Sequence, residues 1–190
     1  MSSDNKPDEV REPESRKKKI KKEAVEWLKT IGIALVAALI INYLIIINSV
    51  VPSGSMEETI MAGSRMFGFR LSYIFSNPER GDIIIFRYPD DKRQIYVKRV
   101  IGLPGETLEI IQGVTYIDGE PLEEPYLKEE VKPEDLGPYE IPEDSYFVMG
   151  DNRNYSRDSR RWNNTYVSKK AIQGKALLCY WPFSRFGVLE

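Results

Sequence analysis

Two serines and one lysine are the residues whose type and setting could do chemistry. Ser53 and Ser55 lie in Val51-Pro-Ser-Gly-Ser-Met56. There Pro52 and Gly54 enforce an irregular backbone that can lift a hydroxyl clear and leave amides unpaired. Lys98 lies in Tyr96-Val-Lys-Arg-Val-Ile-Gly102, where strand alternation puts Tyr96, Lys98 and Val100 on one face. Apolar neighbours disfavour an ammonium and lower a lysine pKa. A fall from about 10.4 to about 8 raises the neutral fraction near pH 7 from roughly 1 in 2,500 to roughly 1 in 10. Neutral lysine is a usable general base. A third cluster, Gly150-Asp-Asn-Arg-Asn-Tyr-Ser-Arg-Asp-Ser-Arg160, alternates polar hydrogen-bonding residues as site-forming loops do. Taken singly, each has a plainer reading: a linker, a strand lysine snorkelling to water, a solvated turn.

Composition restricts the mechanism further. The 190 residues include no histidine, which excludes a Ser-His-Asp triad, a Cys-His dyad and any His-ligated zinc site. Cys179 is the single cysteine, so an internal disulfide and a multi-cysteine metal cluster are excluded, and no metal or cofactor is implied. Lys and Arg total 27 against 29 Asp and Glu, a net charge of −2, without the basic excess of a nucleic-acid partner. Proton transfer therefore falls to Lys, Tyr, Asp, Glu or the cysteine.

The elements that must position these residues divide the chain into three. Residues 1–24 form a polar, basic tail, read as disordered to about residue 19. Residues 25–49 read as a transmembrane anchor, because no charge occurs from Thr30 through Met56 and about 20 helical residues cross a hydrocarbon core. Its apolar run and preceding segment are both too long for a cleavable signal peptide. Seven Lys or Arg lie between Arg16 and Lys29, while the first beyond the run is Arg65, which places the N-terminus in the cytoplasm. Residues 50–190 are then extracytoplasmic. They read as β, with strands over 82–88, 94–101, 107–111, 114–117, 145–149 and 175–181, and turns at Gln112-Gly113 and Asp118-Gly119. The acidic, proline-rich stretch 120–142 reads as irregular. Met61, Met66, Phe67 and Phe69 read as exposed residues that dip into the outer leaflet, or alternatively as a core strand.

Together and in this order, the clusters closely resemble the type I signal peptidases, membrane-bound Ser/Lys proteases. The matching runs are Pro52 to Met56, Arg80-Gly-Asp82, Tyr96 to Glu106 and Gly150 to Arg160, behind an anchor. The resemblance implies a mainly β fold, a domain of twisted antiparallel sheets preceded by one transmembrane helix. It implies Ser55 as nucleophile, Lys98 as general base, and the Ser55 amide and Ser53 hydroxyl as oxyanion hole. Ser156 would orient the lysine amine, and Asp158, Arg160 and Asp151 would support the loop. Met56, Tyr96 and Val97 would lie near the pocket for small substrate side chains. The insertion at about 106–145 is short, as in Gram-positive members. The implied partners are signal-peptide-bearing preproteins and the lipid bilayer of the cell membrane.

Overall fold

The computed structural model describes residues 14–127 and 129–189, with side chains from Lys18 onward. The chain divides into two units between Tyr43 and Leu44.

Among the described residues the first unit is one helix, α1 (Glu14–Ile40), continued by a wider π turn over Ile41–Ile45. From Lys18 to Ile45 it is long and apolar enough to cross a membrane, with mean hydropathy 2.1 and none of its apolar window buried. The core helix of a soluble protein would hide that surface. Residues 14–19, read as disordered, are helical here, because Glu, Arg and Lys are good helix formers and extend a helix already nucleated by its neighbours. Residues 1–13 of that reading lie outside the described residues. At its far end the apolar run leaves the helix before residue 49. The isoleucines at 45–47 are stiff at χ1 and suit extended backbone, and Ile46–Val50 pair as strand β1.

The second unit is mainly β, with every strand pair antiparallel. Eight strands form one sheet: β1, β2 (Arg65–Phe69), β3 (Ile83–Arg87), β4 (Ile95–Gly102), β9 (Ser145–Met149), β10 (Val167–Ser168), β11 (Ile172–Trp181) and β12 (Gly187–Val188). Their order is β1-β2-β11-β3-β4-β9-β10, with β12 also on β11. A second sheet runs β7-β6-β5-β8, from β5 (Thr107–Ile111), β6 (Val114–Ile117), β7 (Glu120–Pro121) and β8 (Leu136–Glu140). Gln112-Gly113 and Asp118-Gly119 turn between its strands with φ positive at all four residues, as two-residue hairpins require. The stretch 120–142 is thus not wholly irregular. Pro138 is tolerated in β8 because that strand lies at a sheet edge.

The strands that carry the site are buried on both faces. Ile83 and Ile85 of β3 enter one core cluster with Ile47, Met56 and Val97, while Ile84 and Phe86 enter another with Val100, Tyr146 and Val148. Phe147 and Met149, alternate residues of β9, join Ile101 and Leu108 in a third cluster against the second sheet. The outer-leaflet reading fails for Met66, which is fully buried in the first cluster, and Phe67 is half-buried and stacked on Tyr180 at 4.3 Å. Exposed aromatics of this unit lie elsewhere, among them Phe75, Tyr155, Trp181, Phe183 and Phe186.

Candidate active site

After β1 the backbone passes through Pro52 into a single 3₁₀ turn, Gly54–Met56. Val51 anchors its start, donating to Ser64 O at 2.9 Å and accepting from Gly63 N at 2.7 Å. Met56 and Ile60 anchor its end in the core. Between these fixed points stands Ser55, 7% exposed. Lys98, 4% exposed, reaches it from β4: Nζ lies 2.5 Å from Ser55 Oγ and donates to Val97 O at 3.1 Å. Ser53 Oγ is 3.3 Å from Ser55 Oγ.

Burial sets the state of this lysine. Desolvation lowers the Lys98 pKa from its usual 10.5 to about 8, against a smaller upward pull from the negative charges of Asp158 and Asp151. Neither carboxylate touches Nζ. The amine therefore sheds its proton at only mildly alkaline pH, beside a hydroxyl.

The loop after β9 frames the pair. Gly150 packs so tightly that a Cβ there would collide with Ser55 O and with Ser156 Oγ and Cβ. Its N–H donates to Asp158 at 3.0 Å. Asn152 clasps the turn at two points, its N–H on Ser55 O at 3.1 Å and its Nδ2 on Gly54 O at 3.0 Å. Ser156 Oγ is buried with no hydrogen bond of good geometry, though it lies close enough to Asp158 to help hold that carboxylate charged. The expected contact between Ser156 and the lysine amine is not formed here.

Behind the loop lies a layer of paired charges. Asp151 takes Arg99 Nε at 2.9 Å and Nη2 at 2.8 Å, and Thr59 Oγ1 donates to it at 2.5 Å. Asp158 takes Arg160 Nε at 2.8 Å and Nη2 at 3.0 Å. Burial would raise the Asp158 pKa, but Arg160 and the other donors hold it below the usual range. The segment between β7 and β8 joins this layer. Arg153 forms a buried pair with Glu124, Arg160 Nη1 reaches Glu134 at 2.9 Å, and the Tyr126 ring lies 4.1 Å from the Arg99 guanidinium. The insertion at 106–145 thus braces the loop.

In front of Ser55 and Lys98 opens a cleft of about 360 Å³, walled by residues 49–53 on one side and 94–97 on the other, with Tyr155 and Arg157 at its rim. Of the residues expected near a substrate pocket, Tyr96 and Val97 line it, whereas Met56 is fully buried in the core. Sequence reasoning did not single out Asn152, Arg99, Arg153, Glu124 or Tyr126. Asn152, Arg99 and Arg153 sat inside recognised runs, where only their neighbours had roles. Glu124 and Tyr126 lay in the stretch read as irregular, and no local pattern could reveal their partners.

A wide stretch of the chain is shared with known proteins. Residues 24–181 match the family model described as "Signal peptidase, peptidase S26". The chain is 39% identical over 187 residues to a signal peptidase I of Leptolyngbya laminosa, covering 94% of this chain and 90% of that one. It is 40% identical over 171 residues to a probable signal peptidase I-1 of Synechocystis, covering 86% of each. A signal peptidase I of Bacillus licheniformis is 39% identical over 168 residues, covering 84% of this chain and 89% of its own.

Proposed function

Because the chain belongs to the signal peptidase family, peptidase S26, we propose that it removes N-terminal signal peptides from preproteins with Ser55 as nucleophile and Lys98 as general base. The observation that carries this reading is the 2.5 Å approach of Lys98 Nζ to Ser55 Oγ, both buried, with no carboxylate on the amine. Neutral Lys98 takes the Ser55 proton as Oγ attacks the scissile carbonyl carbon. The Ser55 N–H and Ser53 O–H stabilise the oxyanion. Lys98 then gives its proton to the departing amine; water, deprotonated by Lys98 Nζ, attacks the acyl carbon, and Lys98 returns that proton to Ser55 Oγ as the acyl group is released. Asp151, Asp158 and Arg160 hold the loop, and Ser156 orients the amine once it turns toward the substrate.

The anchor suits this role. With Lys18, Lys19, Lys21, Lys22 and Lys29 on the cytoplasmic side, the helix crosses the cell membrane once within residues 25–49 and leaves residues 50–190 outside, at the membrane–water interface. The test is incubation of the full chain in detergent with a preprotein bearing an Ala-x-Ala site, the cut located by mass spectrometry. Cleavage after the final Ala, lost in Ser55→Ala and in Lys98→Ala, is expected. Since the basic form of Lys98 does the work, kcat/KM rises with pH to half its plateau at about 8. Cleavage that survives in Ser55→Ala overturns the assignment.

A further inference from the structure

The arginines around the site have different fates. Arg99, Arg153, Arg160 and Arg161 each hold a carboxylate, on Asp151, Glu124, Asp158 and Glu134. Arg157, in the middle of the same loop, makes no hydrogen bond or ion pair with any described residue, and it is exposed at the cleft. No Asp or Glu lines that cleft among the described residues. Among the described residues the only other cation on its wall is Lys98, which must be neutral to act as the proposed base.

The surroundings of Arg157 are built rather than open. Tyr88 and Tyr96 stack at 4.5 Å with Trp162 edge-on to both. Burial and the hydrogen bond to Asp90 push the Tyr88 hydroxyl pKa up, and the Arg157 charge partly offsets them. The flanking Ser156 Oγ and Asp158 are buried, so the backbone on either side of Arg157 is fixed. A guanidinium at the edge of a cleft that holds no counter-charge favours an anion arriving there.

We propose that Arg157 is a specificity-determining residue that selects substrates carrying an acidic side chain within two residues of the scissile bond. The selection rests on the reading of this cleft as the substrate site. A carboxylate of the bound chain supplies the partner that every neighbouring arginine already has. Bidentate pairing fits a guanidinium, which a lysine at this position would not reproduce. A seated but solvent-touched pair of this kind is worth roughly threefold to fivefold in kcat/KM.

The test uses the full chain in detergent and peptides with one Ala-x-Ala site, made in pairs with Asp or Asn at −2, +1 or +2. The readout is the Asp/Asn ratio of kcat/KM at each position, which cancels any general loss in a variant. Wild type should favour Asp about threefold or more at one position at least. That ratio should fall to about 1 in Arg157→Gln and below 1 in Arg157→Glu, and it should shrink at high salt. Ratios of about 1 in wild type at all three positions, or a preference unchanged in Arg157→Gln, overturn the proposal while leaving the peptidase reading intact. A wild-type chain that cuts none of the peptides overturns that reading, and this proposal with it.

Discussion

Lys98 and Arg99 follow one another in β4 and are almost equally buried, at 4% and 2% exposure, yet alternation sends them into opposite settings. On the cleft side the ammonium of Lys98 meets a serine hydroxyl, a carbonyl and, at 5.7 Å, the Tyr96 ring, with no carboxylate in contact. On the loop side Arg99 meets the Asp151 carboxylate through two nitrogens, Gly81 O at 2.7 Å and the Tyr126 ring. Burial penalises both cations. Only one is compensated. The paired group serves as structure; the unpaired one gives up its proton more readily, which is what the proposed base needs. On the proposed mechanism, two adjacent residues of like charge divide the work because the carboxylates stand on one side.

The sharpest way to break this comparison is Lys98→Arg. A guanidinium cannot deprotonate, so cleavage should fall about 10²–10⁴-fold and the acidic limb at about 8 should vanish from the pH profile. Retained activity with the limb in place would mean that another group is the base.

Asp151→Asn tests the other side. It leaves Arg99 buried without its carboxylate, and the chain should lose about 3–5 kcal/mol of stability, read from guanidinium unfolding in detergent by tryptophan fluorescence. The same change removes a negative charge that props up the Lys98 pKa, so any residual activity should show its limb at lower pH. A limb displaced upward would refute the assigned sign.

Lys98→Met has the smallest expected effect and the opposite direction. A lysine whose folded pKa lies at about 8 rather than 10.5 destabilises the fold fully below pH 8, where both states are protonated. That penalty fades as pH rises toward 10.5, where the unfolded chain also gives up its proton. Methionine should therefore stabilise the protein by about 3 kcal/mol at pH 6 and by progressively less above pH 8, in the same unfolding assay. No gain at pH 6 would show that the amine is not desolvated.

Much of this was open to local reading. β3, β4, β5, β6 and β9 announce themselves by short β-branched and aromatic runs, and the hairpin turns by their Gly. β2 and β8 do not, since Arg65-Met-Phe-Gly-Phe69 has no β-branched residue and Leu136-Gly-Pro-Tyr-Glu140 contains both common strand breakers. They are strands because neighbours distant in sequence supply their hydrogen bonds: β11 and β1 for β2, β5 for β8. Met66 was legible as apolar, but whether it faced lipid or core depended on that pairing.

By itself the sequence determined the chemical alphabet: no histidine, one cysteine, a long uncharged run, and a serine, a lysine and a polar loop in recognisable settings. Those follow from residue type and short-range spacing, and neither changes on folding. Which lysine sheds its proton, which arginine keeps a partner and which stands unpaired at the cleft were decided only by tertiary structure. Desolvation and charge pairing depend on what lies within a few ångströms. Ser55 and Lys98, Arg99 and Asp151, and Arg153 and Glu124 are 43, 52 and 29 residues apart along the chain.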